Sequence, residues 1–204
     1  MLRKKLSNHF YQRANVPGIA RELIEKVLVS HLDGITCAGR IVEVEAYNGI
    51  TDKASHARGG RRTARTEIMY AKGGVAYVYL CYGIHHLFNV VTNTSDIPDA
   101  ILIRALEPIE GIGEMLRRTG KKKADYTLTR GPGNVARAMG ISTAHTGWSL
   151  QSAELFIAAD NYVINDQEIV AGPRIGVDYA GSDALLPYRF YIKGNIYVSL
   201  PNKT

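Results

Sequence analysis

Apolar residues recur along this chain in two periods, and the switches between them mark its elements. Behind Asn15-Val16-Pro17, which has the form of a helix start, Ile19, Leu23, Ile24 and Val27 fall at helical spacing and predict a short amphipathic helix. Leu28 to Leu32 follows as a continuous apolar run, and Asp33-Gly34 is a strong hairpin turn into a second strand. That strand contains the stretch around which the chain is organised, Gly39 to Gly49, with the sequence GRIVEVEAYNG. Side chains alternate across a strand, so Val42, Val44 and Ala46 form one apolar face while Ile41, Glu43, Glu45 and Tyr47 share the other. Two carboxylates at that spacing stand about 7 Å apart and repel unless water or a cation relieves them. The pattern alone fits a solvent-facing strand as well as it fits a site.

Val75 to Val91, VAYVYLCYGIHHLFNVV, reads as a second hairpin with Tyr77 and Tyr79 on one face, Val78 and Leu80 on the other, and Tyr82-Gly83 at the bend. Strand aromatics usually join a core, which is the plain reading of Tyr77 and Tyr79. An aromatic at a hairpin tip has no core to join, so Tyr82 points to a partner. Ile101 to Leu106 is another apolar strand carrying a single charge, Arg104; a buried arginine needs an anion, and the acidic strand is the obvious source. A purely structural Glu–Arg pair satisfies that need too. Pro108 is expected to end this strand, Ile112, Met115 and Leu116 predict a short helix closed by Gly120, and Lys121-Lys122-Lys123 reads as a solvated loop. Arg130-Gly131-Pro132-Gly133-Asn134 precedes Val135 to Met139 and points backbone N–H groups from a helix start, where a phosphate could sit or a helix simply begin. In the last third, Arg174-Ile175-Gly176-Val177 reads as a strand, and Tyr188 to Leu200 as strands turned by Lys193-Gly194-Asn195 into a third hairpin. No internal repeat, low-complexity segment or linker interrupts the chain.

Length and charge narrow the class. A chain of 204 residues suits one domain, burying about 70% of its unfolded surface. A net charge of +6 favours an anionic partner, and its distribution is uneven: Thr51 to Gly74 carries Lys53, Arg58, Arg61, Arg62, Arg65 and Lys72 against Asp52 and Glu67. No apolar run approaches a membrane span, and the N-terminus has charges without the apolar core of a signal peptide, so a cytoplasmic protein is expected. Cys37 and Cys81 have no metal-ligand spacing and read as buried free thiols, with no metal and no cofactor expected.

Three enzyme classes fit parts of this set. A metal-dependent nuclease wants clustered acids beside a lysine, whereas this strand reads Glu-Val-Glu-Ala without one. A sugar hydrolase could use two carboxylates about 7 Å apart, but usually offers aromatic platforms, and Trp148 is the only tryptophan. Hydrolysis of a base–sugar bond in DNA needs a carboxylate for water, a flat aromatic pocket, a plug for the vacated stack and a basic surface. A binding module for RNA or DNA, using the basic loop and the same tyrosines, is the competing class; such a module gains nothing from a carboxylate facing a polyanion.

Taken with their order and spacing, GRIVEVEAY, the SHARGG loop, AYVYLCYG followed by Asn89, IRALEP, RGPGNVARAMGI, PRIGV and RFYIKGN resemble the alkyladenine (3-methyladenine) DNA glycosylase family over nearly the whole chain. The resemblance implies a single α+β domain with a curved, mainly antiparallel sheet, peripheral helices and a hairpin that projects into DNA. It implies a monofunctional enzyme acting as a monomer on double-stranded DNA containing damaged purines. Glu45 is implied as general base on water, Arg104 as the group holding that water and the nucleotide backbone, and Tyr82 as the intercalating residue. Tyr47, His56 and Tyr79, with Asn89 on the wall, are implied as the base pocket. Arg61, Arg62, Gly131 and Gly133 are the candidates for DNA backbone contact, and Glu43 reads as a structural support for Glu45. Ile84, where Met is frequent, and Leu185-Leu186-Pro187-Tyr188, where an Arg- and Trp-containing run is more usual, depart from the family pattern.

Overall fold

The Asp33-Gly34 turn holds both residues at positive φ, 54° and 74°, the type I′ geometry whose twist matches that of the strands it joins. The computed structural model describes residues 3–199. In chain order its elements are β1 (Lys4–Lys5), α1 (Asn8–Tyr11), α2 (Val16–Leu23), β2 (Val27–Leu32), β3 (Ile35–Tyr47), β4 (Ala76–Cys81), β5 (His85–Thr92) and β6 (Asp99–Glu110). There follow α3 (Ile112–Thr119), α4 (Pro132–Met139), β7 (Leu155–Ala159), β8 (Ile169–Gly172) and β9 (Arg189–Ile192). The strands run β1-β7-β2-β3-β6-β5-β4, with β9 pairing to both β3 and β8, and each of these pairings is antiparallel. Strand β3 is the axis. Its first half lies between β2 and β6, and Glu43 to Glu45 lie between β9 and β6.

Helices α2, α3 and α4 pack on this sheet around one main core that includes Ile19, Leu23, Ile41, Val44, Phe88, Ile103, Leu106, Met115 and Val135. Asn15 caps α2 by accepting from the Gly18 N–H, and Pro17 occupies the first turn, where a missing N–H costs nothing. The chain is a single α+β domain with an antiparallel sheet.

Several sequence expectations are corrected. Val27 belongs to β2, because α2 ends at Leu23 and the apolar positions beyond it continue into the sheet. Ile41 does not share the exposure of an acidic face: the β3–β6 register shifts between Ile41 and Glu43 and again between Glu43 and Val44, and Ile41 joins Val42, Val44 and Ala46 in the core. Pro108 does not end β6. It pairs with Gly39 at another register shift, an irregularity that tolerates a residue without an N–H. A Cβ on Gly39 would stand 2.9 Å from that of Leu106, so the two strands close up there through glycine.

Arg174 to Val177 is a loop rather than a strand. The turn at Lys193-Gly194 does not make a third hairpin, since β9 ends at Ile192 and finds its partners in β8 and β3; Leu200 lies outside the described residues. Cys37 is buried, whereas Cys81 at the hairpin end is half-buried.

Candidate active site

Glu43 and Glu45 have no solvent exposure, which overturns the solvent-facing reading of this strand. Buried carboxylates must find donors, and both do. Glu43 Oε1 accepts from Arg189 Nε at 2.7 Å and Arg104 Nε at 3.3 Å, while its Oε2 accepts from the Ser199 N–H at 2.8 Å. Glu43 thereby ties β9 and the segment after it to β3. Glu45 is held differently: Oε1 accepts from the Ile175 N–H at 2.7 Å and lies 3.2 Å from Arg104 Nη1, and Oε2 accepts from the Tyr47 hydroxyl at 2.8 Å.

Arg104 thus sits between the two carboxylates. Burial works against its charge, but Glu45 and Glu43 together hold its pKa above the usual arginine value. Burial first, and then the neighbouring Glu45, push the Tyr47 phenol well above the usual tyrosine range, so it stays a donor. A carboxylate offers about four acceptor sites; two hydrogen bonds and the Arg104 ion pair leave Glu45 room for a further proton-bearing group.

Next to this pair opens a narrow cleft walled by Tyr47, Ala54, His56, Met69, Tyr77, Tyr79, Asn89, Ala100 and Tyr179. Strand alternation puts Tyr77 and Tyr79 side by side with ring centroids 5.5 Å apart. His56 meets the Tyr79 ring edge-on at 4.6 Å and shares a 2.9 Å hydrogen bond between Nδ1 and the Tyr77 hydroxyl. Asn89 donates its amide N–H groups to the carbonyls of Tyr77 and Leu87, which fixes the carboxamide on the wall. Tyr77 is also packed into a small satellite core with Met69, Tyr70 and Val91, so the core and pocket readings of this residue hold together.

A second cavity adjoins the first. Lys53, Arg58, Arg61 and Arg65 line it together with hydroxyl-bearing residues of the same loop. Arg61 forms no ion pair among the described residues, whereas Arg62 is engaged elsewhere: its guanidinium bridges Glu67 and Asp96 and stacks on Tyr70. The two arginines therefore differ in their internal partners: Arg62 would reach a phosphate only by exchanging Glu67 or Asp96 for it. Gly131 begins α4 at φ 89°, and Gly133 lies against His85 beside the hairpin turn, where a Cβ would stand 3.1 Å from the imidazole Nδ1. Tyr82 projects from the hairpin tip, 93% exposed, with Leu80 and Ile84 exposed beside it.

Residues 9–196 match the methylpurine-DNA glycosylase family profile. The chain belongs to this family. Among similar proteins, relatives from Bacillus cereus (strain G9842) and Bacillus cytotoxicus each share 48% identity over 189 residues. The alignment covers 89% of this chain and 92% or 93% of theirs, and both carry a 3-methyladenine DNA glycosylase name.

For this methylpurine-DNA glycosylase family member, the structure adds site residues that sequence reasoning passed over. The Ile175 N–H reaches Glu45 because Arg174, on the same loop, is anchored by both carboxylate oxygens of Asp52 and by the Ala46 carbonyl. Arg189 is the second cation on Glu43. The available signal was Arg174 and Arg189 among mostly apolar neighbours and Asp52 as one of two acids in a basic stretch; pattern alone does not pair them.

Burial, and then Arg65 and Arg61, lower the His56 pKa to about 4, so the imidazole is neutral at physiological pH. The unfolded chain takes up this proton near the ordinary value of about 6.5, the folded chain only near 4. Stability linked to His56 is therefore complete above pH ~6.5 and is lost as pH falls through the folded value. Denaturant titrations from pH 7 to 4 should show wild type losing more stability than His56→Gln, with the gap between them changing across that window. A constant gap would mean that folding does not shift the titration of His56.

Proposed function

We propose that this chain is a monofunctional DNA glycosylase that excises alkylated or deaminated purines of the 3-methyladenine type, the first step of base excision repair. The observation that carries the reading is Glu45: a buried carboxylate with acceptor capacity to spare, beside an aromatic cleft and a basic groove. In the reaction, water forms a bond to C1′ of the deoxyribose, the bond from C1′ to the purine nitrogen breaks with its electron pair leaving on the base, and Glu45 takes the proton from water. Positive charge develops on the sugar as this happens, and an anionic Glu45 stabilises it where it appears. Arg104 keeps that carboxylate ionised and aligned.

Alkylated purines carry positive charge and so depart as neutral bases. Electron-rich rings of Tyr47 and Tyr79 favour such a cation by stacking, and a neutral His56 does not repel it. Water is the nucleophile, because β3 carries no lysine to form a Schiff base and Lys53 lines the groove instead. Phosphates of double-stranded DNA run along the groove of Arg58, Arg61 and Arg65, with the N-terminus of α4 as a further backbone contact. Tyr82 fills the stack that the extruded nucleotide leaves. The chain works as a monomer in the cytoplasm, at the nucleoid; among the described residues no helix is long and apolar enough to cross a membrane.

Incubation with methylated duplex DNA, followed by chromatography of the supernatant, tests the reading. Free 3-methyladenine or a related purine is expected, in amounts that EDTA does not change, and strands should break only after alkali. Strand cleavage without alkali, loss of activity on chelation, or DNA binding with no base released would each overturn it.

A further inference from the structure

The aromatic cleft and the basic groove share two wall residues, His56 and Tyr179. A nucleotide with its base in the cleft and its phosphates in the groove must carry its sugar across that shared boundary. His56 is tied back to Tyr77. Tyr179 stands free, with 67% of its surface exposed, yet its backbone is anchored: Val177 and Ala180 are buried against Ala54 and Tyr47. Its hydroxyl donates to the Ala54 carbonyl at 3.2 Å. Gly176 at φ 75° and Gly181 at φ 61° bracket the segment with left-handed backbone, the turns that raise the ring over the boundary. An aromatic ring fixed in place without being packed has a face available to a ligand.

We propose that Tyr179 is a nucleotide-positioning residue whose ring packs against the deoxyribose of the extruded nucleotide, between the base cleft and the phosphate groove. The inference rests on the glycosylase reading above. Because the hydroxyl is occupied by Ala54, the contact belongs to the ring; Phe should preserve it and Ala remove it. Little of the ring is buried, so each change should lower the melting temperature only by the small effect of losing the Ala54 hydrogen bond, equally in both variants.

Binding to a duplex containing a tetrahydrofuran abasic analogue separates a sugar contact from a base contact, since this ligand has the sugar and phosphates but no base. Tyr179→Ala should weaken binding to that duplex about tenfold, as expected for one apolar ring contact, and leave binding to undamaged duplex unchanged. Tyr179→Phe should bind both like wild type. Unchanged abasic affinity in Tyr179→Ala would overturn the inference alone, as would an equal loss on undamaged duplex, which marks a general backbone contact. A wild-type chain without preference for the abasic duplex over the undamaged one would remove the glycosylase reading and this inference with it.

Discussion

Glu45→Gln is expected to bind damaged duplex with near wild-type affinity and to excise its base at least ~10²-fold more slowly. The amide has the shape of the carboxylate and one oxygen to accept from the Ile175 N–H and Arg104, so the loop that carries Ile175 stays in place. Its NH₂ can donate to the Tyr47 oxygen in place of the hydrogen bond that Tyr47 now donates. Arg104 loses one of its two anions but keeps Glu43 at 3.3 Å, which avoids an unpaired buried cation. What the variant lacks is a lone pair basic enough to take a proton from water, and a full negative charge to face the sugar as its own charge develops. Both deficits appear in the transition state, so they lower the chemical step and leave ground-state binding alone. Single-turnover excision at saturating enzyme reads the first quantity and fluorescence anisotropy the second. Cleavage at the wild-type rate would take Glu45 out of the mechanism.

Why the acidic strand was legible is a matter of local periodicity. Alternation in GRIVEVEAYNG put Glu43, Glu45 and Tyr47 on one side, and the Glu45–Tyr47 hydrogen bond follows from that placement. A lone arginine in ILIRAL had to find an anion, and Arg104 does find both glutamates. Asp33-Gly34 carries its turn geometry in the residue pair itself, and Gly83 marks the second turn. The misreadings concern segments whose conformation is dictated from a distance. Arg174 to Val177 has a strand-like composition, yet the Asp52–Arg174 pair and the need of Glu45 for a backbone donor hold it as a loop. Nothing local to either segment announces that partnership.

Pro108 stayed inside β6 because a register shift opposite Gly39 relieves the missing hydrogen bond, and a register shift is a property of two strands. Arg61 and Arg62 are adjacent in sequence but differ in surroundings, since Glu67 and Asp96 come together only in the folded loop. Tyr179 was invisible for a similar reason. Its position on the boundary of two cavities exists only once six separate segments have assembled.

Tyr82→Asn should give a more stable protein that extrudes bases poorly. Tyr82 sits at φ 50°, followed by Gly83 at φ 73°, in a turn that favours Asn-Gly over any pair beginning with a bulky side chain. Left-handed backbone costs an ordinary residue roughly 1–2 kcal/mol, and asparagine much less. With 93% of its surface exposed, the tyrosine has almost no folded contacts to set against that strain. Replacing it should therefore raise stability by about 1 kcal/mol, or roughly 2–4 °C in melting temperature for a chain of this size. Extrusion should move the opposite way, because opening the stack costs on the order of a few kcal/mol and asparagine has no ring to fill the gap. A fluorescent base analogue beside the lesion reports this directly: bright with Glu45→Gln, dim with Tyr82→Asn. Equal fluorescence in the two variants would deny Tyr82 its part in extrusion, and an unchanged melting temperature would show that the turn is unstrained. If both expectations hold, the tip residue is one that folding alone would not select, kept at a measurable loss of stability for a contact that exists only on DNA.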